Sequence, residues 1–317
     1  MTETLQSLIK ELIKYDHKTI LVDEAVDIFI NKSSSTTSPD TLEYYKKYLY
    51  KIRDYLINQE VRSVSQITNN IIYKFVNQEK SRGLKNNTIN KYVDCLSYAL
   101  NYCYKLDYIN VNPLKHYDKL PSDDVETVTV DLDVLKKIFK YLDLQPRTNV
   151  NVQNHLIFML LIDTGIRRRE LINIRIDNVD INRGTIYLTQ TKTNKNRYLF
   201  LSEQTIVILK EYFSLMPVLT DYLFINTVNL RTQITDSKIN WMIKKVKKDL
   251  KIQDNVSISP HKFRHTFASM SLNNGADLIH VQKLLGHSSL RITQRYLHKN
   301  NQELKSEHDK YTPLTII

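Results

Sequence analysis

The sequence predicts a mainly α-helical chain in two parts. An all-helical N-terminal domain comes first, then a mixed α/β domain, mostly helical, with one small antiparallel sheet. Three observations predict this. Apolar residues recur every three or four positions through most of the chain, the period of an amphipathic helix. A polar stretch over 116–130, HYDKLPSDDVETVTV, interrupts that rhythm and divides it. Only GTIYLTQ and RYLFL read as strands, and they flank a basic turn, TKTNKN. With 317 residues, 42% of them hydrophobic, the chain has material for a core in each part.

The elements follow in order. An extension over 1–19 holds a short amphipathic segment at 4–14, with Leu5, Leu8, Ile9 and Leu12 on one side. LVDEAVDIFIN predicts a helix that stops in the polar run KSSSTTSPD. Ser38-Pro39 is a helix entry, serine capping and proline in the first turn. Behind it, Leu42, Tyr45, Leu49, Ile52 and Leu56 keep the helical rhythm among lysines and arginines. A third helical stretch covers 67–79. A fourth, over 88–106, turns Ile89, Tyr92, Val93, Leu96, Leu100 and Cys103 inward, and Asn112-Pro113 is expected to end it. Cys95 and Cys103 lie eight apart in that helix, which suits reduced core cysteines better than a disulfide. The first domain is therefore 20–115, and 116–130 is the linker.

The second domain, 131–298, opens with the helix DLDVLKKIFKYL and continues with the more apolar HLIFMLLIDTG, where Gly165 makes a turn. The hairpin follows, and helices resume at 202–213, 236–250, 260–274 and 278–285. Residues 299–317 form a charged tail ending in Leu314, Ile316 and Ile317.

A net charge of +11 points to an anionic partner, either a nucleic acid or an acidic membrane surface. The opening MTETLQSLIKELIKY is broken by charges and has no signal-peptide core. No run approaches the ~18 apolar residues of a membrane span. A cytoplasmic protein without a membrane partner is expected. No P-loop appears, and the histidines lack the carboxylate or cysteine neighbours of a metal site, so neither a nucleotide cofactor nor a metal is expected.

Two cationic elements stand out. In TGIRRREL an apolar run feeds through Gly165 into arginines. Arg167 thereby lies at the margin of a core, where its guanidinium can be fixed, with the Glu170 carboxylate three residues on. Planar arginine suits bidentate phosphate contact. In HKFRH, His261 and Arg264 are three apart and leave one helical face, whereas His265 points about 100° away from Arg264. LLGHSS ends a helix at Gly286, a position suited to a left-handed cap, and His287 opens the next segment. Tyr296 lies nine residues further on.

These motifs together resemble the catalytic domain of the tyrosine recombinases, the phage integrase and Xer-like family. TGIRRREL resembles the first arginine motif, with Arg167 in the catalytic position and Glu170 in support. TKTNKNRYLFL resembles the hairpin of the catalytic lysine, which falls on Lys192 with Lys195 as the alternative; Thr191 and Thr193 stand where relatives often carry glycine. HKFRH supplies His261 and Arg264, LLGHSS supplies His287, and ITQRYLH supplies the nucleophile, Tyr296. SPDTLEYYKKYLYKIRDYL resembles the family's core-binding DNA domain, so the resemblance spans nearly the whole chain.

The resemblance implies a site-specific recombinase that breaks and rejoins DNA through a 3′-phosphotyrosyl intermediate. Arg167 and Arg264 would bind the non-bridging oxygens, Lys192 would protonate the leaving 5′-oxygen, His261 would handle the tyrosine proton, and His287 would hydrogen-bond the phosphate. The implied partners are double-stranded DNA with specific recombination sites, clamped between the two domains, and a homo-tetramer on two such sites, with accessory proteins possible. The tail would pack in trans on a neighbouring protomer. About 18 residues precede the core-binding domain, too few for an additional arm-binding fold, and the hairpin departs from the housekeeping form. The compact, arm-less architecture is one that Xer proteins share with some transposon and plasmid recombinases, and the hairpin favours a mobile element or plasmid over Xer-like chromosome dimer resolution. A non-catalytic DNA-binding protein of the same fold and a type IB topoisomerase are the competing readings.

Overall fold

The computed structural model describes residues 20–123, 129–189, 196–216, 220–226 and 232–286. The extension at 4–14, the hairpin turn with Lys192 and Lys195, and everything after Gly286, including His287, Tyr296 and the tail, lie outside the described residues. The chain divides into two compact units, Met1–Val125 and Glu126–Ile317.

The described part of the first unit is helical: α1 (Val22–Thr36), α2 (Pro39–Asn58), α3 (Asn69–Ser81) and α4 (Asn86–Lys105). Ser38 caps α2 by accepting from the Thr41 backbone N–H, with Pro39 in its first turn, as the sequence predicts. Leu49, Ile52 and Leu56 are fully buried, and all six inward residues expected of α4 are in the core. Cys95 and Cys103 are buried and unbonded to each other.

Two boundaries differ from expectation. The run KSSST does not end α1 but completes it. The hydroxyls of Ser34, Ser35 and Thr36 donate to carbonyls three or four residues back, a local satisfaction that leaves the helical path intact. Helix α4 ends at Lys105, before Asn112-Pro113, because Asp107 takes a left-handed φ of 58°. Asn112 has a different task. It is buried and its amide donates to Ser97 and Asn101, pinning the departing chain back onto α4.

The second unit contains α5 (Leu132–Asp143), α6 (Asn149–Thr164), α7 (Arg168–Ile172), α8 (Glu203–Leu215), α9 (Asp236–Asp249), α10 (Pro260–Asn273) and α11 (Leu278–Leu285). Helix α6 is apolar on nearly every side and packs against α5, α7, α8 and α10. Fully burying Leu156, Ile157, Phe158, Leu160 and Leu161 stabilises the unit by about 1.5–3 kcal/mol for each side chain before entropy is counted.

The antiparallel sheet has three strands in the order β1 (Val179–Asp180), β2 (Thr185–Leu188), β3 (Arg197–Phe200). The hairpin predicts β2 and β3. The two-residue β1 is too short to leave a periodic signal. Ile186 pairs with Leu199 and Leu188 with Arg197, so the inward face of β2 meets Leu199 and Arg197 together.

Gly165 and Gly286 end α6 and α11 in left-handed conformations, with φ of 59° and 64°. At Gly165 there is a second requirement, since a Cβ would stand 2.7 Å from Leu285 Cδ2 and 2.8 Å from Phe267 Cδ1. Gly165→Ala should therefore lower stability by roughly 1–3 kcal/mol, from overpacking and backbone strain together. Chemical denaturation checks this, and an unchanged midpoint would contradict it.

Candidate active site

The site is built on one helix end. The last carbonyls of any α-helix lack intrahelical donors, and the helix dipole favours cations beside them. At the C-terminus of α11, three consecutive carbonyls each receive a different arginine. Leu284 O accepts from Arg197 Nε at 3.1 Å, Leu285 O from Arg264 Nη2 at 2.6 Å, and Gly286 O from Arg167 Nη2 at 3.0 Å. These arginines come from β3, from α10 and from the turn between α6 and α7.

Arg264 also donates from Nη1 to Gly165 O at 2.6 Å, so it bridges the C-terminal ends of α6 and α11. It is only 5% exposed. A buried guanidinium needs such partners, because an unpaired buried charge is heavily penalised. Helix α10 positions it. Ser259 caps that helix, Pro260 opens it, and Phe263 is fully buried beside Arg264.

Arg167 precedes α7, and its backbone N–H donates to Glu170 Oε2 at 3.1 Å while Nη1 donates to Oε1 at 2.8 Å. Glu170 is buried and is gripped a second time by Arg197, whose Nη1 and Nη2 reach Oε1 and Oε2 at 2.9 and 2.8 Å. Burial pushes the Glu170 carboxyl upward. The hydrogen bonds and charges of Arg197, then Arg167, outweigh that and hold it below the usual carboxylate range. It is therefore ionised near neutral pH, and the cluster it anchors is lost only as pH falls through that lowered value.

The consecutive arginines of TGIRRREL separate. Arg167 enters the site, whereas Arg168 pairs with Asp236 on α9, Nε to Oδ1 at 2.7 Å. Three guanidiniums, those of Arg167, Arg197 and Arg264, thus meet at the helix end. The carboxylate bonded among them, Glu170, pairs with Arg167 and Arg197, which leaves the helix end positively charged. Arg167 has five N–H donors, more than Glu170 and Gly286 require, and can add an oxyanion.

His261 lies exposed on the first turn of α10. The surrounding protein, then the charges of Arg168, Arg264 and Arg167, lower its pKa from the ordinary 6.5. A lowered value leaves the imidazole neutral at neutral pH and able to accept a proton. Titration of the DNA-free protein by NMR should give a His261 midpoint below 6.5; a midpoint above it would contradict this electrostatic reading. His265, one residue past Arg264, is pushed down to about 4, by burial first and then by Lys262, His261 and Arg264.

Of the residues singled out in the sequence, the structure brings together Arg167, Glu170 and Arg264 through the end of α11. His261 shares α10 with Arg264. The positions of Lys192, His287 and Tyr296 are outside the described residues. Arg197 was missed. Its signal was the strand alternation, because Arg197 falls on the same face as Leu199, and an arginine on an inward face demands a buried partner. Among the described residues, no group of three or more His, Cys, Asp and Glu side chains could hold a metal, and no helix is long and apolar enough to cross a membrane.

Comparison with known proteins matches this arrangement to a family. The phage integrase family model matches residues 129–303, and a phage integrase SAM-like domain matches residues 21–120. The chain is 33% identical over 236 residues to the tyrosine recombinase XerC of Staphylococcus carnosus, covering 71% of this chain and 75% of that protein. It is 28% identical over 270 residues to a probable integrase/recombinase of Acholeplasma phage L2, covering 84% and 90% respectively. The Tn1549 transposon integrase, solved in complex with transposon right end DNA, has a similar fold. Its TM-score is 0.75 at 17% identity, over 92% of this chain and 99% of that one.

Proposed function

The chain belongs to the phage integrase family of tyrosine recombinases, and from that premise we propose that it exchanges strands at specific duplex DNA sites for a mobile element. It is a DNA strand-breaking and rejoining enzyme. In the proposed reaction, the Tyr296 oxygen attacks the scissile phosphorus, forming a 3′-phosphotyrosyl bond as the bond to the 5′-oxygen breaks. The 5′-hydroxyl of the partner strand then attacks that linkage and releases the tyrosine. One phosphodiester replaces another, so no nucleotide is consumed.

Each residue has a physical task. A tyrosine hydroxyl, with a pKa near 10, must lose its proton during attack, and neutral His261 takes it. Arg167 and Arg264 hold the non-bridging oxygens and offset charge in the pentacoordinate transition state. Lys192 gives its proton to the departing 5′-oxygen, and His287 hydrogen-bonds the phosphate. Glu170 keeps Arg167 in place.

The observation that most supports this reading is the convergence of Arg167 and Arg264 on one helix end. Two sequence-distant cations are fixed there, within a unit of net basic character, by backbone carbonyls rather than by solvent. Residues 20–115 would serve as the core-binding DNA domain and 131–298 as the catalytic domain. The working assembly would be a homo-tetramer on two sites in the cytoplasm, with accessory proteins where the element supplies them. Residues 299–317 would pack on a neighbouring protomer.

Two labelled duplexes carrying the element's site test the proposal. Joint recombinant strands should form in the presence of a chelator and without nucleotide, and only when both sites are present. Binding should weaken steeply between about 50 and 200 mM salt, as phosphate neutralisation requires. Relaxation of supercoiled DNA at a single site, with no joint product, would instead support a topoisomerase.

A further inference from the structure

Arg197 does more than satisfy a buried carboxylate. It spans Glu170 bidentately with both Nη atoms while its Nε holds Leu284 O, so one planar group ties β3 to α7 and to the end of α11. Its side chain is 9% exposed. The fit is close, since a Cβ at Gly286 would stand 2.9 Å from Arg197 Nη1. Glu170 in turn contacts Arg167 through both its backbone N–H and its guanidinium. Without Arg197, a buried carboxylate with two oxygens to satisfy would be left to Arg167, drawing that guanidinium inward.

We propose that Arg197 is a positioning residue for strand cleavage. By occupying both Glu170 oxygens, it limits the hold of Glu170 on Arg167 and keeps the Arg167 guanidinium aimed at the scissile phosphate. This rests on the assignment of Arg167 to the phosphate. The planar fork matters, because lysine is a point donor and cannot meet both carboxylate oxygens and Leu284 O at once.

The test uses the full-length protein and nicked duplexes that trap the cleaved strand. One carries a normal scissile phosphate, and the other a methylphosphonate, in which a neutral methyl replaces one non-bridging oxygen and reduces the charge the arginines must offset. Arg197→Met should bind DNA normally and cleave the phosphate substrate roughly ten- to a hundredfold more slowly, the scale on which supporting partners of functional ligands act. The loss should shrink several-fold on the methylphosphonate. Arg197→Lys, the variant more certain to fold, should show the same substrate-dependent loss. The double variant Arg167→Ala/Arg197→Met should cleave no more slowly than Arg167→Ala alone, because both changes act on one group.

Equal losses on both substrates, or multiplicative losses in the double variant, would overturn the inference and leave Arg197 a stability residue. If Arg167→Ala itself cleaves like wild type, the phosphate assignment fails first and the inference falls with it. The two failures are therefore distinguishable.

Discussion

Replacing Tyr296 with phenylalanine will leave DNA affinity essentially unchanged and abolish covalent protein–DNA complex. The variant lacks only the phenolic oxygen. A ring without it still fills the same volume, and the phosphate contacts that supply affinity come from other side chains. The reaction, however, has no other acceptor for the phosphoryl group in the proposed site. Serine or water in its place would give a different linkage or a hydrolysed end, and either would be visible on a denaturing gel. An undiminished adduct in Tyr296→Phe would remove the nucleophile assignment.

Arg264 should produce the next largest effect, and for two separable reasons. Arg264→Ala removes a group that donates to Gly165 O and Leu285 O, leaving buried carbonyls at two helix ends unsatisfied. The expected cost in stability is about 1–3 kcal/mol for each group so exposed. It also removes a charge from the transition state, worth roughly 10²–10³ in rate by comparison with other oxyanion donors. Arg264→Lys separates the two effects. It keeps a positive charge but cannot bridge both carbonyls, so its rate should remain well below wild type even where thermal denaturation shows the protein folded. A folded Arg264→Lys protein that cleaves at the wild-type rate would show that only charge, and not the bridged geometry, is needed.

Most helix ends were legible because their chemistry is local. Ser38-Pro39, Gly165 and Gly286 each act within one turn, so their identity is enough. Where the reading failed, the cause was a residue with two uses. The serines and threonine of KSSST can stop a helix or bond back into it, and the choice between them depends on what the next segment packs against. Asn112-Pro113 predicts a helix end, whereas Asn112 is a side-chain clasp on α4.

The site was legible in its side chains but not in its frame. Arg167, Glu170 and Arg264 carry recognisable spacing. Their anchors at Leu284, Leu285 and Gly286 are backbone carbonyls, which every residue possesses and no sequence advertises. Arg167 and Gly286 lie 119 residues apart, and Arg197 and Leu284 lie 87 apart. Separations of that size are fixed only by the packed core of α6, α10 and α11. The same limit hid Arg197, whose partner became evident only once the strand face was known.

In the proposed reaction this arginine cluster serves a tyrosine that takes the 3′-phosphate of a broken strand. The most direct measurement is to trap wild-type protein on a nicked duplex carrying the element's site, digest the adduct, and map both the modified peptide and the DNA end. One adduct is expected, on the peptide containing Tyr296, joined through a 3′-phosphate with a free 5′-hydroxyl on the released strand. An adduct on any other residue, or a linkage through a 5′-phosphate, would contradict it.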